Sequence, residues 1–526
     1  MMRKIFLSIA IASTMLFHTS CDHLDLDLAP EDYFASGSFW KNNDQVNGAM
    51  VGLHAQLRSY QNTLWTLGEI RGGTLRTGTG FTGTSTLNSQ GLISQDIRES
   101  SPGYSSWASI YSPIFQINNF INQVELASYL TEAQKSYYLG QAYGLRAFYY
   151  FHLFRTYGRV PLITEPKVAI NTPTSAEEAY APRTKTEKET LDFIKADIDK
   201  STQNFNEDYS IKSQKGQWSL PATLMLKSEV YLWSAKVNMD GQAPSNVNAD
   251  LQVAKSAVEN VIPRFSLQSN FANVFNTSSV SASKGNSEII FAIRYQVGEA
   301  TNGLFANFIY AQTDNLSGFV DHNGDPVSTD PLQIASSGTL IRYEYKIELY
   351  DMFDQNDQRT NTTFLNLNKG TTRAAVLRKF LGTFVNGVRT YADDYPVYRL
   401  AEAYLILAEI KNKLGQDPTA EIMAVRNRAY GSTAPQFVNG SFEANELAIF
   451  YERSKEFVSE GKRWYDLRRM QDASGKPLVF KTDLPLVGVL EDIDGQNHKI
   501  LWPVDIGTMS ADPTLTGDQN PGYAGT

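Results

Sequence analysis

The chain has 526 residues, a formal net charge of −9, and hydrophobic and charged fractions of 42% and 20%. This apolar content is enough to bury a large core, so global disorder is excluded. The sequence has no basic tract, which argues against a nucleic acid partner. Its one cysteine, Cys21, excludes an intramolecular disulfide and a cysteine-cluster metal site. We expect no cofactor and no metal.

Residues 1–20 have the features of an export signal. A basic start is followed by an apolar run from Ile5 to Phe17, which is too short to span a membrane. The signal ends in small residues just before Cys21, which resembles a lipobox, although His18 stands where an aliphatic residue is usual. We expect Cys21 to be acylated and to anchor the protein in a membrane. An ordinary secretory signal that is cleaved nearby is the alternative.

The next part of the chain combines a predicted helix with a long irregular stretch. The aromatic residues between Pro30 and Trp40 indicate a docking segment, and a helix is predicted from Asn43 to about Tyr60. Residues 61–106 are rich in Gly, Thr and Ser and show no sustained periodicity. A loop of this length is uncommon in a compact protein and is often functional.

A helix that is apolar on every side is predicted within residues 137–164. Thr131 can begin it, Gly158 is a typical C-terminal cap, and Pro161 prevents its continuation. A helix without a polar face is buried on most sides. We therefore expect it to be the central helix of a helical solenoid.

Other helices are predicted on both sides of the central one. Residues 287–295 have a strand-like composition, and residues 296–340 form a second irregular stretch. Four tryptophans on helical patterns are expected in the core: Trp107, Trp218, Trp233 and Trp464. Apolar periodicity predicts helices that begin at Trp107 and at Pro221, and helices over Lys185–Lys200, Leu251–Val261, Arg399–Leu414, Ala420–Tyr430 and Phe442–Met470.

Four separated blocks of the sequence form a recognisable series. In chain order, the blocks are Arg146-Ala147 with Tyr149-Tyr150 and Gly158-x-Val160-Pro161-Leu162; residues 399–409 with 425–429; residues 452–469; and Leu501-Trp502-Pro503 with residues 520–523. These blocks resemble the SusD/RagB family, the surface nutrient-binding lipoproteins of Bacteroidetes. The acidic residues after Cys21 also resemble the surface-export signal of such lipoproteins. The tail departs from the family pattern at residues 504–506, where Ile-Pro is common.

The resemblance implies a mostly α fold: a tetratricopeptide-like scaffold of helical pairs with long irregular ligand-binding loops and few short strands. We expect a signal peptide at residues 1–20 and a single body at residues 21–526. The helical scaffold is then built from about 43–265 and 395–470, and the irregular binding region from about 61–106 and 287–394.

The resemblance also implies a function without catalysis. Such a protein captures an oligosaccharide at the cell surface and delivers it to a SusC-like, TonB-dependent transporter of the outer membrane. A binder of acidic sugars or of peptides in the same kind of uptake system is the alternative, and a glycosidase is less favoured. Carboxylates and arginines alternate at helical spacing in the blocks, so ion pairs explain them better than catalysis does.

The two irregular stretches are the predicted binding region, because solenoids display ligand contacts on loops. Aromatic rings can stack on a sugar face while arginine binds hydroxyl or carboxylate groups. Arg71 and Arg76 stand beside small residues, and they are the basis for the acidic-sugar alternative. The predicted ligand contacts are Trp65, Arg71, Arg76 and Phe81 in the first stretch, and Tyr295, Phe308 and Tyr310 in the second.

Two short motifs resemble other kinds of site. Residues 78–83 fit G-x-G-x-x-G, but they neither follow a strand nor precede a helix, so a loop displaying Phe81 is predicted instead. Residues 321–326 begin like a calcium-binding loop but lack its sixth-position Gly and twelfth-position Glu. We predict a turn there.

Overall fold

The structure is a computed structural model that describes most of the chain. Cys21, Phe81 and the predicted docking segment up to residue 38 lie outside the described residues. The described ranges are residues 39–78, 89–104, 107–167, 175–212, 215–275, 284–310, 316–327, 332, 341–492 and 496–524.

These ranges contain sixteen α-helices and six short strands. The helices are α1 Asn43–Glu69, α2 Gln90–Ile93, α3 Ala108–Leu126, α4 Glu132–Tyr157, α5 Ala176–Ala179, α6 Glu187–Phe205, α7 Leu220–Lys236, α8 Val247–Val261, α9 Ala272–Phe275, α10 Ile347–Asp351, α11 Arg359–Thr363, α12 Leu400–Lys413, α13 Thr419–Tyr430, α14 Phe442–Glu456, α15 Arg463–Arg469 and α16 Ile506–Ala511. The strands are β1 Ile289–Ile293, β2 Phe364–Lys369, β3 Thr372–Leu377, β4 Thr383–Val385, β5 Val388–Thr390 and β6 Tyr395–Arg399.

The helices pack in sequential pairs. Helix α4 packs against α3 and α6, α6 against α7, and α7 against α8. Helix α8 also contacts α12, which packs against α13 and α14. The predicted mostly α, tetratricopeptide-like scaffold with few short strands is therefore confirmed. Among the described residues, no helix is both long enough and apolar enough to cross a membrane.

The central helix, α4, has the predicted ends. Thr131 and Gln134 form a capping box at its start, and Gly158 ends it with a φ of 71°. Every residue from Gly140 to Tyr157 is buried. It has two buried guanidiniums: Arg146 forms two hydrogen bonds of 2.7 and 2.8 Å to the Asp197 carboxylate of α6, and Arg155 lies 3.5 Å from Glu229 of α7. The helix therefore holds the scaffold together through apolar packing and through buried ion pairs.

The strands form small antiparallel pairs, β1 with β6, β2 with β3, and β4 with β5. All five residues of β1 are buried, as the predicted strand at 287–295 requires. We call α1–α8 the first group of helices and α12–α15 the second group. Strand β6 leads directly into α12, so the β1–β6 pair connects the middle of the chain to the second group.

Two predicted helices differ most from the observed ones. Helix α1 continues to Glu69, well beyond the predicted end near Tyr60, so Trp65 belongs to a helix and not to an irregular stretch. The predicted helix over 442–470 is interrupted between α14 and α15. Gly461 lies in this interruption with a φ of 70°, which ordinary helical residues do not adopt.

Buried ion pairs connect the helices of the second group. The Arg399 guanidinium lies 2.9 Å from Glu288, 2.5 Å from Glu456 and 2.8 Å from Glu460. Burial alone raises the pKa of Glu456, but Arg428, Arg399 and Arg359 hold it well below its usual value. The prediction that these blocks form structural ion pairs is confirmed.

The segment after residue 500 packs back onto the central helix. The Trp502 amide donates to the Thr156 carbonyl at 2.9 Å, and the Asn520 side chain donates to Tyr157 and Trp502 carbonyls at 3.1 and 2.7 Å. Arg183, which precedes α6, donates to the Asp518 carbonyl at 2.6 Å. These bonds make the tail part of the scaffold.

Candidate functional site

Residues 74–76 of the first irregular stretch run beside residues 343–346, which directly follow the second stretch. We call this surface the loop seam. Leu75 and Tyr345 form an antiparallel bridge. The Arg76 amide donates to the Glu344 carbonyl at 3.0 Å, and the Lys346 amide donates to the Thr74 carbonyl at 2.7 Å. The backbone therefore fixes these two segments against each other.

Tyr343 is the aromatic residue that the loop seam presents towards solvent. Its half-buried ring lies 5.1 Å from the Trp65 ring and 5.3 Å from the Phe308 ring, between ring centroids. Trp65 and Phe308 are buried beneath it and contact each other edge to face at 5.5 Å. This aromatic floor fixes the orientation of the Tyr343 ring.

The loop seam has two polar side-chain contacts. The Tyr343 hydroxyl and the Ser89 hydroxyl are 2.9 Å apart. The Arg76 guanidinium, with 38% of its side chain exposed, lies 3.1 Å from the buried Glu344 carboxylate. Burial raises the pKa of the Tyr343 phenol, so its hydroxyl stays protonated and able to donate at neutral pH.

The structure brings three predicted contacts, Trp65, Phe308 and Arg76, together at the loop seam. Trp65 and Phe308 are buried, and the Trp65 indole donates to the Ser459 hydroxyl at 3.1 Å. Their positions argue against direct ligand contact, because no ring face is left for a sugar. Arg76 keeps an exposed position and stays a predicted contact.

Arg71 is fully buried, contrary to its expected place at a ligand. Its guanidinium stacks 4.1 Å from the Trp464 ring and donates to the Gln95 side chain at 2.8 Å and to the Lys499 carbonyl at 2.6 Å. Burial lowers the pKa of Arg71 to about 9. This arginine connects loop and tail and is not accessible to a sugar carboxylate.

Tyr295 and Tyr310 are also core residues. The Tyr295 hydroxyl donates to the Arg58 carbonyl at 3.2 Å, and the Tyr310 hydroxyl accepts from the Leu332 amide at 3.1 Å. Both side chains are buried, which argues against the predicted ligand contacts. Trp107, Trp218, Trp233 and Trp464 lie in the core as predicted.

Tyr343 is a residue of the candidate site that the predictions missed. In Ile341-Arg342-Tyr343-Glu344-Tyr345, the two tyrosines are two residues apart, so an extended segment places both rings on the same side. Both rings contact the Phe308 ring, at 5.3 and 5.8 Å between centroids. Tyr345 is fully buried and Tyr343 is half-buried, a difference that the spacing of the two tyrosines does not predict.

The calcium-like segment at 321–326 is a turn, as predicted. The Asp321 carboxylate accepts hydrogen bonds from the Asn323 and Asp325 amides at 2.8 and 3.0 Å. Among the described residues, no group of three or more His, Cys, Asp and Glu side chains is arranged to hold a metal ion.

A cavity lies elsewhere on the molecule and shares no lining residue with the loop seam. It is a cavity of about 780 Å³ between the start of α3, residues 161–167, residues 179–181 and the α16 region. Its walls contain Trp107, Tyr111, Phe115 and Tyr180. We call it the tail cavity, because residues 505–512 of the tail form one wall.

A crystal structure of a SusD superfamily protein from Bacteroides fragilis is 35% identical to this chain. The similarity covers 92% of this chain and all of that one, with a TM-score of 0.81. This chain belongs to the SusD family. Sequence models of the SusD family and of "Starch-binding associating with outer membrane" match residues 350–523 and 43–232.

Two further SusD relatives are similar in sequence. SusD-like protein P38 of Formosa agariphila is 26% identical over 96% of both chains. The starch-binding protein SusD of Bacteroides thetaiotaomicron is 41% identical over 81 residues, which are 15% of this chain and 14% of that protein. The SusD family therefore accounts for both the helical scaffold and the four sequence blocks.

Proposed function

We propose that this protein binds glycans at the outer membrane and does not convert them. The main structural support is the loop seam, where the Tyr343 ring lies on a fixed aromatic floor and the neighbouring segment carries Arg76, which is 38% exposed. An aromatic face and charged donors are the two kinds of group that hold a sugar ring and its hydroxyls. The starch-binding description of the family model over residues 43–232 supports the same conclusion.

The burial of the acidic side chains that alternate with arginines in the sequence blocks supports binding without catalysis. Glu456 and Glu460, which alternate with arginines in the sequence, lie inside the ion-pair network of Arg399. Buried carboxylates that are paired with arginine are neither accessible to a substrate nor free to transfer a proton. A glycosidase therefore remains the less favoured alternative.

A glycan array followed by calorimetry tests the proposal. We expect the purified protein to bind a defined oligosaccharide and Tyr343→Ala to lower its affinity about tenfold, because one stacking face is lost. Tyr129→Ala, at a surface tyrosine that is 38% exposed, is the matched control. Melting temperatures of both variants separate lost binding from lost folding.

Two results would contradict this assignment. Glycan affinity that survives Tyr343→Ala and Arg76→Lys would remove the loop seam from the site. Release of products from labelled glycans by the wild-type protein would make it an enzyme.

The acidic-sugar and peptide alternatives are tested in the same calorimeter. Arg71 is buried and Arg76 is paired with Glu344, so the two arginines that suggested a sugar carboxylate offer little free charge. We expect maltohexaose or laminarihexaose to be preferred over sialyllactose and over a peptide panel. A preference for sialyllactose would favour the acidic-sugar alternative.

We also propose that Cys21 carries a lipid anchor that holds the protein on the cell surface. The signal-like residues 1–20 before Cys21 support this proposal. Metabolic labelling with a palmitate analogue should label the wild-type chain but not Cys21→Ser. Protease added to intact cells should digest the anchored protein, and protection from protease would contradict surface exposure.

Delivery to a SusC-like, TonB-dependent transporter is the remaining part of the proposal. It is supported by membership of the SusD family. A tagged version of this protein should copurify such a transporter from membranes solubilised in mild detergent. Recovery of the protein alone, with glycan binding intact, would separate capture from delivery.

A further inference from the structure

The tail cavity combines aromatic walls with polar groups at its rim. Trp107 contacts Tyr111 and Tyr157 edge to face at centroid distances of 5.9 and 5.3 Å. Phe115 is half-buried, and Tyr180 is 40% exposed. The volume of about 780 Å³ is within the range of about 300–1,000 Å³ that is usual for small-molecule sites.

Hydrogen bonds fix the walls before any ligand enters. The Tyr111 hydroxyl donates to the Pro161 carbonyl at 2.6 Å. The Ile163 carbonyl accepts from the Asn118 amide group at 2.8 Å and from the Tyr150 hydroxyl at 2.9 Å. A cavity whose walls are already ordered loses little conformational entropy on binding.

Charge at the rim selects among ligands. The described lining contains three carboxylates, Glu165, Asp505 and Asp512, and one ammonium group, that of Lys167. The Oδ1 atom of Asp512 accepts hydrogen bonds from the Thr514 amide and hydroxyl, and its Oδ2 atom takes part in neither bond. Carboxylate oxygens accept sugar hydroxyls well, but they repel an anionic ligand.

We infer that the tail cavity is a second glycan site, which takes a neutral oligosaccharide by stacking on Phe115 and Tyr180 and by hydroxyl contacts to the rim carboxylates. This inference rests on the proposed function and adds a site separate from the loop seam. A fatty acid fits the rim poorly, because its chain would leave these carboxylates without hydrogen-bond donors and its own charge would be repelled.

Calorimetry with neutral hexasaccharides tests the second site. We expect Tyr180→Ala and Phe115→Ala each to lower the affinity of one site about tenfold, while Tyr129→Ala leaves it unchanged. In the Tyr343→Ala background, glycan binding at the tail cavity should persist with wild-type affinity. Glu165→Gln should weaken the discrimination against sialyllactose, because it removes one rim charge.

The possible outcomes separate this inference from the proposed function. Glycan affinity that is lost in Tyr343→Ala but unchanged in Tyr180→Ala and Phe115→Ala would overturn the glycan site at the tail cavity. It would leave the loop seam as the glycan site. Binding of laurate, sensitive to Tyr180→Ala and without any oligosaccharide binding there, would also overturn it. A wild-type protein that binds no glycan would overturn both proposals.

Discussion

His54 of α1 has both ring nitrogens hydrogen-bonded inside the core. Its Nδ1 donates to the Met50 carbonyl at 2.9 Å, and its Nε2 accepts from the Trp218 amide at 2.8 Å. This arrangement requires the neutral ring. Burial lowers the pKa of His54 to about 4, with a smaller opposing contribution from the Met50 hydrogen bond.

We expect His54 to make stability depend on pH. Its pKa is lower in the folded state than in the unfolded state, so its contribution is lost as the pH falls from about 6.5 to about 4. In urea unfolding of the wild type, the free energy of unfolding should decrease by up to about 3 kcal/mol over this pH range. The His54→Gln variant should lack this decrease. The exposed His322→Gln is the control, and an equal pH dependence in His54→Gln and wild type would contradict the assignment.

The buried Arg146–Asp197 pair should be more sensitive to mutation than an exposed pair. Asp197→Ala leaves the Arg146 guanidinium buried without its carboxylate, which costs about 3–5 kcal/mol. Asp192→Ala removes an exposed partner of Lys188 on the same helix and should cost less than about 1 kcal/mol. Chemical denaturation of the two variants measures the difference, and equal losses would contradict a structural role for the buried pair.

Single residues of the candidate site were only partly predictable. The sequence predicts Trp65 and Phe308 as ligand contacts. The structure places both at the loop seam, but as the buried floor beneath Tyr343. Composition identifies an aromatic-rich region, whereas burial depends on which strand or helix covers each ring. Arg71 shows the same limit of prediction from sequence, because its side chain is buried by contacts with Trp464 and Lys499, which are far along the chain.

Helices were predicted better than their interruptions. The caps of α4 follow from Thr131 and Gly158, because capping is local chemistry. The continuation of α1 to Glu69 and the break after α14 depend instead on the approach of α1 to Gly461. Such an approach joins residues that are distant in sequence and leaves no periodic signal.

Substitution by alanine should have opposite effects on stability at two glycines of α1. A Cβ at Gly68 would overlap the Gly461 carbonyl oxygen, whereas a Cβ at Gly48 meets no atom within 4 Å. Gly68→Ala should therefore destabilise the protein by several kcal/mol, and Gly48→Ala should stabilise it by about 1 kcal/mol through helix propensity. Thermal unfolding of both variants tests this, and a neutral Gly68→Ala would contradict the close contact.

Most of the buried apolar side chains that the structure describes belong to one large core. A single cluster of buried side chains extends from Val46 to Leu515 and includes residues of both helical groups. Helix α8 of the first group contacts α12 of the second, and α1 contacts α15. The family resemblance, carried by four short blocks, predicts this scaffold. Apolar periodicity alone predicts the separate helices but not how they pack against one another.

We propose that the chain after the signal, residues 21–526, unfolds as one body. A shared core couples the two helical groups, so far-UV circular dichroism and tryptophan fluorescence should give the same urea midpoint. Gly68→Ala, which acts in α1, should shift both midpoints together. Two separate transitions would instead indicate independent domains.

The tail cavity also constrains the order of events during biosynthesis. Arg183 and Asn520, which fasten the tail beside this cavity, are 337 residues apart in sequence. A nascent polypeptide therefore has the aromatic wall of α3 long before it has the acidic wall around α16. Contacts of such long range form late, so we expect the cavity to be complete only after the tail has joined the scaffold.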